Sequence, residues 1–428
     1  MDDIARAVYK LDSWFETMRG TLGYFGPVVH WWESSLLYCG PKFDWRYEGI
    51  IMGYLNLFDR TNDSFWLKRA IRAADDIRNA QMSSGKYINS SFQQGPIEGG
   101  TPHEAAVDVA LLELALRLRQ MGDNRWRDYQ QTAWRNLHDF HIEQLWNGYA
   151  FKDQPWNQTV VANKNATTLE ALLLQQQLGG EDLERYIIPA AQFVMSGQVT
   201  DHSQPYHGGV IHLGTGRQRL IIGIYTARCA SALVRLYELL PDSRYLESAK
   251  AMGRYLLSLI TDQGTHFGHY PNGHTITHPT WISPSGDVLR AFLLLRPYAD
   301  FVDTPIERLV DVQLRYQQPS GGIPTSCGLA RKGATSLVDT EFLDFRDVMP
   351  VVGWCDKAFR GLSMVVTAVD GDWSPTQPET TKEICRFFGV PAYFKESGEV
   401  ISADLVEKNK SIYIYRKKEH FATFPQKT

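Results

Sequence analysis

Apolar residues recur at helical spacing through long stretches of this chain, most clearly from Leu220 to Leu240. Small residues such as Gly223 and Ala227 lie among the large ones, and this mixture suits a closely packed inner helix. Pro241 breaks the run, and a more charged amphipathic pattern then continues to about residue 260. The stretch therefore predicts a helical hairpin with a buried inner helix and a partly exposed outer helix.

A glycine turn, often beside an aromatic residue, ends this hairpin and recurs along the chain. The copies lie roughly 55 to 65 residues apart, a spacing that indicates a repeat architecture. The six copies are Leu22-Gly23-Tyr24-Phe25, Ser84-Gly85-Lys86-Tyr87, Asn147-Gly148-Tyr149-Ala150, His207-Gly208-Gly209-Val210, Phe267-Gly268-His269-Tyr270 and Gly321-Gly322-Ile323-Pro324. Because one hairpin cannot bury its apolar face alone, we expect the six to pack against one another.

The helical patterns predict six inner and six outer helices. The first helix has no inner partner before it, so we expect it to serve as the outer helix of the last inner helix and to close the array into a ring. The predicted helices lie at about 4–19, 45–58, 64–82, 103–120, 125–145, 164–178, 181–196, 219–240, 243–261, 284–297, 303–317 and 348–368. An all-α ring of six helical hairpins over residues 1–368 is the predicted fold.

The pattern changes from Asp370, where Pro375 and Pro378 mark a boundary. We expect a short helix near 380–388, followed by β-strands around 392–395 and 412–415. Residues 369–428 are therefore predicted to form a small β or α+β appendage. Such a piece would cap the ring or pair with another subunit, so an oligomer is possible.

Composition narrows the classes of function. The net charge of −4 provides no basic stripe for nucleic acid, which is not an expected partner. No apolar run is long enough to cross a bilayer, and the acidic N-terminus lacks the features of a secretory signal. We therefore expect a cytoplasmic protein. Its five cysteines are never spaced as CxxC, which favours reduced thiols over disulfides or a zinc ribbon.

Candidate functional residues lie in the segments that lead into the inner helices, because those segments converge at one end of a closed ring. Asp44, Ser285 and Thr101 are explained equally well as helix N-caps. Charges inside small-residue or apolar helical runs need a partner or a function, which makes Asp108, Asp287, Asp356 and Lys357 stronger candidates.

Three weaker motifs carry little information. Gly214-Thr215-Gly216 lacks the βαβ setting and the third glycine of a dinucleotide loop. His274 and His278 lie among prolines and glycines, which indicate a loop and argue against a zinc site. Asp75-Asp76 lies among arginines on an outer helix, and we interpret it as part of a solvated helix face. We expect no metal and no cofactor.

The repeated helix–turn–helix unit with its glycine turn resembles the (α/α)6 toroids of six-hairpin glycosidases. These include unsaturated glucuronyl hydrolases and N-acylglucosamine epimerase-like enzymes. The resemblance covers about residues 1–368 and implies the toroid fold. Similar toroids also serve as polysaccharide lyases, and related α-barrels cyclise terpenes.

Twelve tryptophans favour a sugar ligand, because indole stacks on the apolar faces of sugar rings while Asp, Asn, Arg and His bind their hydroxyls. We expect an enzyme that cleaves a glycosidic bond in an acidic or modified oligosaccharide through paired carboxyl groups. The catalytic candidates are Asp108, Asp347, Asp287, Asp356, Glu104 and His103, with Asp108 and Asp347 preferred. The substrate-binding candidates are Trp45, Arg46, Asn165, Arg217, Arg219, His278, Trp281 and Trp354.

Other functions remain open at this stage. A lyase or epimerase would use a His or Tyr base, with Arg or Asn neutralising a carboxylate. A terpene cyclase would protonate an alkene in an aromatic cavity, although the chain has no DxDD sequence. A non-catalytic glycan-binding toroid would have the same aromatic residues without carboxyl groups of shifted pKa.

Overall fold

The computed structural model describes most of the ring and parts of the C-terminal segment. The described residues are 3–20, 23–24, 26–28, 36–39, 43–88, 104–179, 182–212, 219–328, 347, 350–367, 383–387, 390–393, 401–408, 411–416 and 419–425. In the strands at 26–28 and 36–39, and in every strand beyond residue 382, the description is of the backbone alone.

Twelve α-helices form the described part of the ring, and they alternate between outer and inner positions. The outer helices are α1 (Asp3–Thr17), α3 (Ser64–Asn79), α5 (Trp126–Asn136, continued by a π-helical segment, Leu137–Leu145), α7 (Glu184–Ser196), α9 (Ser243–Leu257) and α11 (Asp303–Tyr316). The inner helices are α2 (Trp45–Thr61), α4 (Ala105–Gln120), α6 (Ala162–Gln177), α8 (Gly223–Leu239), α10 (Gly286–Leu295) and α12 (Val352–Ser363).

The inner helices close into a ring. Each packs against the next, and α12 returns to pack against α2. The approach of α12 to α2 is close because Gly53 has no side chain: a Cβ there would overlap the ring of Phe359. The predicted (α/α)6 toroid of six hairpins is confirmed.

Helix α1 is the outer partner of the last inner helix, although the two lie at opposite ends of the ring sequence. It packs against α12 and contacts α11. Trp14 and Phe15 on α1 are fully buried, and the Phe15 ring meets Phe359 edge-on at a centroid distance of 5.3 Å. The Gln317 side chain, just after α11, donates a hydrogen bond to the Ala7 carbonyl at 2.8 Å. The ring therefore closes through the N-terminal helix.

The repeated glycines have a conformational role. Gly23, Gly85, Gly148, Gly208, Gly268 and Gly321 all have positive φ. At Gly208, with φ of +88°, a Cβ would also overlap the Ala251 carbonyl oxygen. Only glycine adopts such conformations readily, which explains its recurrence at the end of each hairpin.

A six-stranded antiparallel sheet lies within the connections of the later hairpins. It is made of β5 (Ile211–His212), β6 (Leu220–Ile222), β7 (Ile260–Thr261), β8 (Gly264–His269), β9 (Thr275–Trp281) and β10 (Ser326–Cys327). The predicted helix at 219–240 was wrong at its start: residues 220–222 are strand β6, which pairs with β5 and β8. Apolar periodicity over three residues cannot distinguish a strand from a helix, and tertiary pairing decides it.

The other strands are short antiparallel pieces, and one strand of the C-terminal segment pairs with a strand near the N-terminus. They are β1 (Arg19–Gly20), β2 (Gly23–Tyr24), β3 (Gly26–Val28), β4 (Leu36–Cys39), β11 (Glu383–Phe387), β12 (Val390–Tyr393), β13 (Ile401–Lys408), β14 (Ser411–Arg416) and β15 (Glu419–Pro425). One five-stranded sheet has the order β15-β14-β13-β4-β3. Its β13–β4 pairing hydrogen-bonds the C-terminal segment to the chain that precedes the first inner helix.

One prediction for this segment was wrong: residues 383–387, expected within a short helix, form strand β11 and pair with β12. The sequence there, Glu-Ile-Cys-Arg-Phe, places β-branched and aromatic residues in a short run that suits pairing with a partner strand. The division of the chain at residues 368 and 369 stays a prediction. No helix among the described residues is long and apolar enough to span a membrane.

We expect Phe15→Ala to destabilise the whole ring, because it empties the contact between α1 and α12. Removing a buried phenylalanine costs about 3–5 kcal/mol of unfolding free energy. Lys10→Ala, on the exposed face of the same helix, is the matched control and should change it by less than about 0.5 kcal/mol. Denaturant unfolding measures both, and equal small losses would contradict closure through α1.

Candidate active site

A central pocket opens at the N-terminal ends of the inner helices. Its cavity volume is about 70 Å³, which is smaller than the roughly 300–1,000 Å³ of sites for drug-sized ligands. All six inner helices contribute to its wall, mostly from their first turns. The lining residues are Trp45, Glu48, Ala106, Asn163, Thr167, Ile224, Tyr225, Arg228, Asp287, Trp354 and Lys357.

Tryptophans form one side of the pocket. The rings of Trp45 and Trp354 lie 6.4 Å apart, and Trp354 in turn lies 5.8 Å from the buried Trp281. The Trp45 indole N–H donates to the Gly353 carbonyl at 3.0 Å, which fixes its orientation across the α2–α12 contact. The Arg46 guanidinium covers the Trp45 ring at 4.8 Å. The pocket therefore has a preorganised aromatic wall.

Buried charges form the floor. Glu48 on α2 binds Arg228 of α8 and, at 2.9 Å, Arg360 of α12. Arg360 also binds Asp287 of α10, so one guanidinium bridges two carboxylates that line the pocket. Burial favours the protonated form of Glu48, but the charges of Arg228 and Arg360 outweigh it and lower its pKa to about 2. Glu48 is therefore ionised at neutral pH.

The charges continue along the axis of the ring. Glu170 on α6 binds Arg290 of α10, and its carboxylate lies 3.4 Å from Arg228. We call Glu48, Glu170, Arg228, Asp287, Arg290 and Arg360 the ion-pair network. Five of the six inner helices contribute to it, and nearly all of its side chains are shielded from water. Such charges are tolerated only because each has a counter-ion.

Asp356 and Lys357 form a separate carboxyl–ammonium pair next to this network. Lys357 lines the pocket and donates hydrogen bonds to Asp356 at 2.6 Å and to the Trp45 carbonyl at 3.0 Å. Burial raises the pKa of Asp356 to about 7, although Lys357 and Arg360 oppose the shift. Its other oxygen, Oδ1, has no hydrogen-bond partner among the described residues. Asp356 therefore titrates close to neutral pH.

On the opposite wall, Tyr225 packs against His212 with ring centroids 4.8 Å apart. Burial, reinforced by the nearby Lys164 charge, lowers the pKa of His212 to about 4. The imidazole is therefore neutral at pH 7. Burial raises the pKa of Tyr225 to about 12.

The structure brings some of the predicted site residues together. Trp45, Asp287 and Trp354 line the central pocket, and Trp281 packs behind Trp354. Asp356 contacts the pocket only through Lys357. Arg46 pairs with Asp44, so its charge is already compensated.

Other predicted residues lie away from the pocket wall. Asp108 accepts a hydrogen bond from Tyr87 at 2.8 Å, and Glu104 accepts one from Asn136 at 2.6 Å, where α4 packs on its outer neighbours. Burial raises the pKa of Asp108 well above its usual value, although the hydrogen bond from Tyr87 opposes the shift. The Asn165 amide bonds the backbone of Phe151.

Three more predicted residues lie away from the pocket lining, and two fall outside the described part of the chain. Asp347 accepts a hydrogen bond from the Ser326 hydroxyl of β10 at 3.0 Å. His278 is half-buried on β9 beside Gly328, and Arg219 is exposed just before β6. His103 and Arg217 are not among the described residues. No group of three or more His, Cys, Asp or Glu side chains in the described ranges is arranged to hold a metal ion.

The comparisons with known proteins concern the fold. No protein-family model and no curated protein sequence matches this chain. Cellobiose 2-epimerase from Bacillus thermoamylovorans superposes with a TM-score of 0.61 at 12% identity, covering 84% of this chain and 98% of the epimerase. A D-mannose isomerase gives 0.59 at 14%, covering 84% and 96%. An unsaturated glucuronyl hydrolase specific for heparin gives 0.57 at 13%, covering 85% and 95%. At these identities the likeness establishes a shared (α/α)6 toroid.

We expect Glu48→Gln to lower the free energy of unfolding at pH 7 by about 3–5 kcal/mol, because it leaves the three buried arginines of the network with only two carboxylates. The folded-state pKa of Glu48 lies below its ordinary value of 4.5. Its ionisation therefore contributes stability above pH 4.5, and this is lost as pH falls toward 2. Denaturant unfolding from pH 7 to 2.5 should show the gap between wild type and variant shrinking.

The exposed Glu247→Gln is the matched control, because Glu247 pairs only with Lys250 at the surface. It should leave stability unchanged at every pH. A Glu48→Gln deficit that stayed constant down to pH 2.5 would contradict the assignment of Glu48 as an ionised member of the network.

Proposed function

We propose that this chain is a carbohydrate-active enzyme that binds an acidic or modified oligosaccharide in the central pocket and cleaves a glycosidic bond. The observation that carries the proposal is the position of Asp287. This carboxylate lies in the first turn of α10, lines the pocket and keeps 14% of its side chain exposed. Trp45 and Trp354 stand in the same wall, where a sugar ring would stack.

The two pocket carboxylates suit different roles. Glu48, held anionic by two arginines, would stabilise positive charge that develops on the sugar in an oxocarbenium-like transition state. It is a poor proton donor for the same reason. Asp287 has only Arg360 as a partner in the network and reaches the pocket, so we assign it the acid–base or nucleophilic step.

A second carboxyl group is needed to complete hydrolysis, and Asp347 is our candidate. Its hydrogen-bond partner, Ser326, is on β10, and Ser326 pairs directly with Trp281 of β9. Trp281 packs on Trp354 of the pocket wall. Asp347 is thus connected to the aromatic side of the pocket. Asp108, between α4 and its outer neighbours, is not assigned a role in this step.

Two cations support an acidic substrate. Arg228 and Lys357 both line the pocket. The Arg228 side chain uses one terminal nitrogen for Glu48 and holds the other 3.4 Å from a Glu170 oxygen, while its buried Nε has no hydrogen-bond partner among the described residues. A uronate or sulfate oxygen in the pocket would be attracted by both cations and would accept a charge-assisted hydrogen bond from Lys357.

Sugar epimerisation or isomerisation is the second candidate, and the His212–Tyr225 contact favours it. These reactions remove a proton next to a carbonyl, which requires a base that is deprotonated at the working pH. Neutral His212 meets that requirement and adjoins a tyrosine of the pocket wall. Two of the structures with the same toroid are an epimerase and an isomerase of sugars.

Product analysis in D2O distinguishes the two reactions. The substrates would be an unsaturated uronyl disaccharide, a manno-oligosaccharide, cellobiose and D-mannose. Hydrolysis produces new reducing ends without deuterium at C2 of the reducing sugar, whereas epimerisation leaves the number of reducing ends unchanged and introduces deuterium at C2, next to the carbonyl. We expect new reducing ends from the uronyl disaccharide. The absence of turnover on every sugar would contradict the proposal.

Asp287→Asn should lower turnover by about 10²-fold or more, the usual contribution of an acid–base group. Its fold should persist, because Arg360 retains Glu48 as a counter-ion. Asp303→Asn is the matched control: Asp303 starts the outer helix α11 and pairs with Arg296 in solvent. Initial rates and melting temperatures of both variants test the assignment. Full activity in Asp287→Asn would remove Asp287 from the reaction.

A further inference from the structure

Asp356, the carboxyl partner of the pocket cation Lys357, has no role in the proposed reaction. Both residues are on α12 and both are nearly inaccessible to water, yet Lys357 forms part of the pocket wall. The Asp356 carboxyl lies behind the wall, against α2. Gly49 makes this possible, because a Cβ at that position would overlap Asp356 Oδ2. The helix contact is thus shaped to hold a carboxyl group directly behind the pocket lysine.

The hydrogen bonds show that Asp356 acts on Lys357 rather than on the pocket itself. Asp356 Oδ2 accepts from Lys357 Nζ at 2.6 Å, and a second hydrogen bond joins Nζ to the Trp45 carbonyl. These two acceptors fix the ammonium beside Trp45. Asp356 Oδ1 has no hydrogen-bond partner among the described residues. A free oxygen on a buried carboxyl suits a group that gains and loses a proton.

The surrounding charges determine whether Asp356 holds or releases that proton. Lys357 and Arg360 on the same helix attract the ionised form of Asp356, whereas Asp287 of α10 repels it. The Lys357 charge also favours the ionised form of Glu48 on α2, but Glu48 is already bound to two arginines. Within the network, Glu48, Glu170 and Asp287 face Arg228, Arg290 and Arg360, so these six charges cancel. Lys357 is left with Asp356 as its own counter-ion.

We propose that Asp356 is a proton-binding positioning residue that sets the charge Lys357 presents to the pocket, so that an anionic sugar binds together with one proton. This inference rests on the proposed function and specifies how an acidic substrate is accommodated. When Asp356 is ionised it neutralises Lys357. When an anion approaches the ammonium, the Asp356 carboxylate takes a proton from solvent, an O–H bond forms on its oxygen, and the Lys357 charge becomes available to the ligand. The pKa of Asp356, raised by burial to about 7, makes this exchange accessible at neutral pH.

Calorimetric titration at pH 7.5 in buffers of different ionisation enthalpy measures protons taken up on binding. The probes are D-glucuronate and, without a carboxylate, D-glucose. We expect wild type to take up roughly half to three-quarters of a proton per glucuronate and none with glucose, and its glucuronate affinity to fall by up to about tenfold per pH unit above pH 7. Asp356→Asn should bind glucuronate with no proton uptake and with little dependence on pH.

Asp12→Asn is the matched control. Asp12 is another buried aspartate whose pKa is raised by burial, to about 6, but it is on α1, where it binds Tyr54 and Arg69 away from the pocket. It should leave the proton uptake of the wild type unchanged. A second variant, Lys357→Met, removes the ammonium group instead of the carboxyl group. It should abolish both the proton uptake and the preference for glucuronate over glucose.

The possible failures are distinguishable. Glucuronate binding to wild type without proton uptake, or uptake that persists in Asp356→Asn, would overturn this inference and leave the proposed function standing. If Asp356→Asn does not fold, Lys357→Met decides the matter, since uptake that persists there also overturns the inference. Failure of wild type to bind either sugar would overturn the inference and count against the proposed function as well.

Discussion

The structure depends on a small set of buried ion pairs at the centre of the helical ring. Glu48 and Glu170 are fully buried, and each is held by two arginines from other helices. Removing one partner from such a pair typically costs about 3–5 kcal/mol, because the remaining charge is left in a poorly solvated interior. The inner helices must therefore keep their mutual positions for the charges to stay compensated. This requirement also positions the carboxylates and cations of the central pocket.

Closure of the ring supplies the geometry that the network needs. Arg360 bridges Glu48 and Asp287 only because α12 lies between α2 and α10, and α12 is in turn covered by α1. The N-terminal helix thus contributes to the site without reaching it. The glycine turns allow each outer helix to end and the chain to return to the next inner helix. The six first turns consequently meet at one end, where the pocket opens.

Much of the fold could be predicted from the sequence because it rests on local signals. Apolar periodicity marked the twelve helices, and the repeated glycine indicated where each hairpin ends. Strands β6 and β11 were missed because each is defined by pairing with a distant segment. Their short runs of residues such as Leu220 to Ile222 fit a helix equally well. Pairing between β13 and β4 was likewise beyond what periodicity shows.

The site was predictable in its location but not in its connections. The criterion that a charge inside an apolar run needs a partner singled out Asp287, Asp356 and Lys357, which do lie at or behind the pocket. The same criterion applies to Arg228, Arg290, Arg360 and Glu170, which were missed although each interrupts an apolar inner helix. It also selected Asp108, which faces Tyr87 instead. The rotation of the helix about its own axis, by a fraction of a turn, decides whether a side chain faces the ring axis or an outer helix. Sequence spacing does not determine that rotation.

A crystal structure of the protein with a bound acidic oligosaccharide would show whether the pocket formed by the first turns of the inner helices is a sugar site. We expect a sugar ring stacked on Trp45 or Trp354, with its acidic group at Arg228 and Lys357 and its glycosidic oxygen near Asp287. An oligosaccharide bound elsewhere, with only water between these side chains, would contradict this expectation.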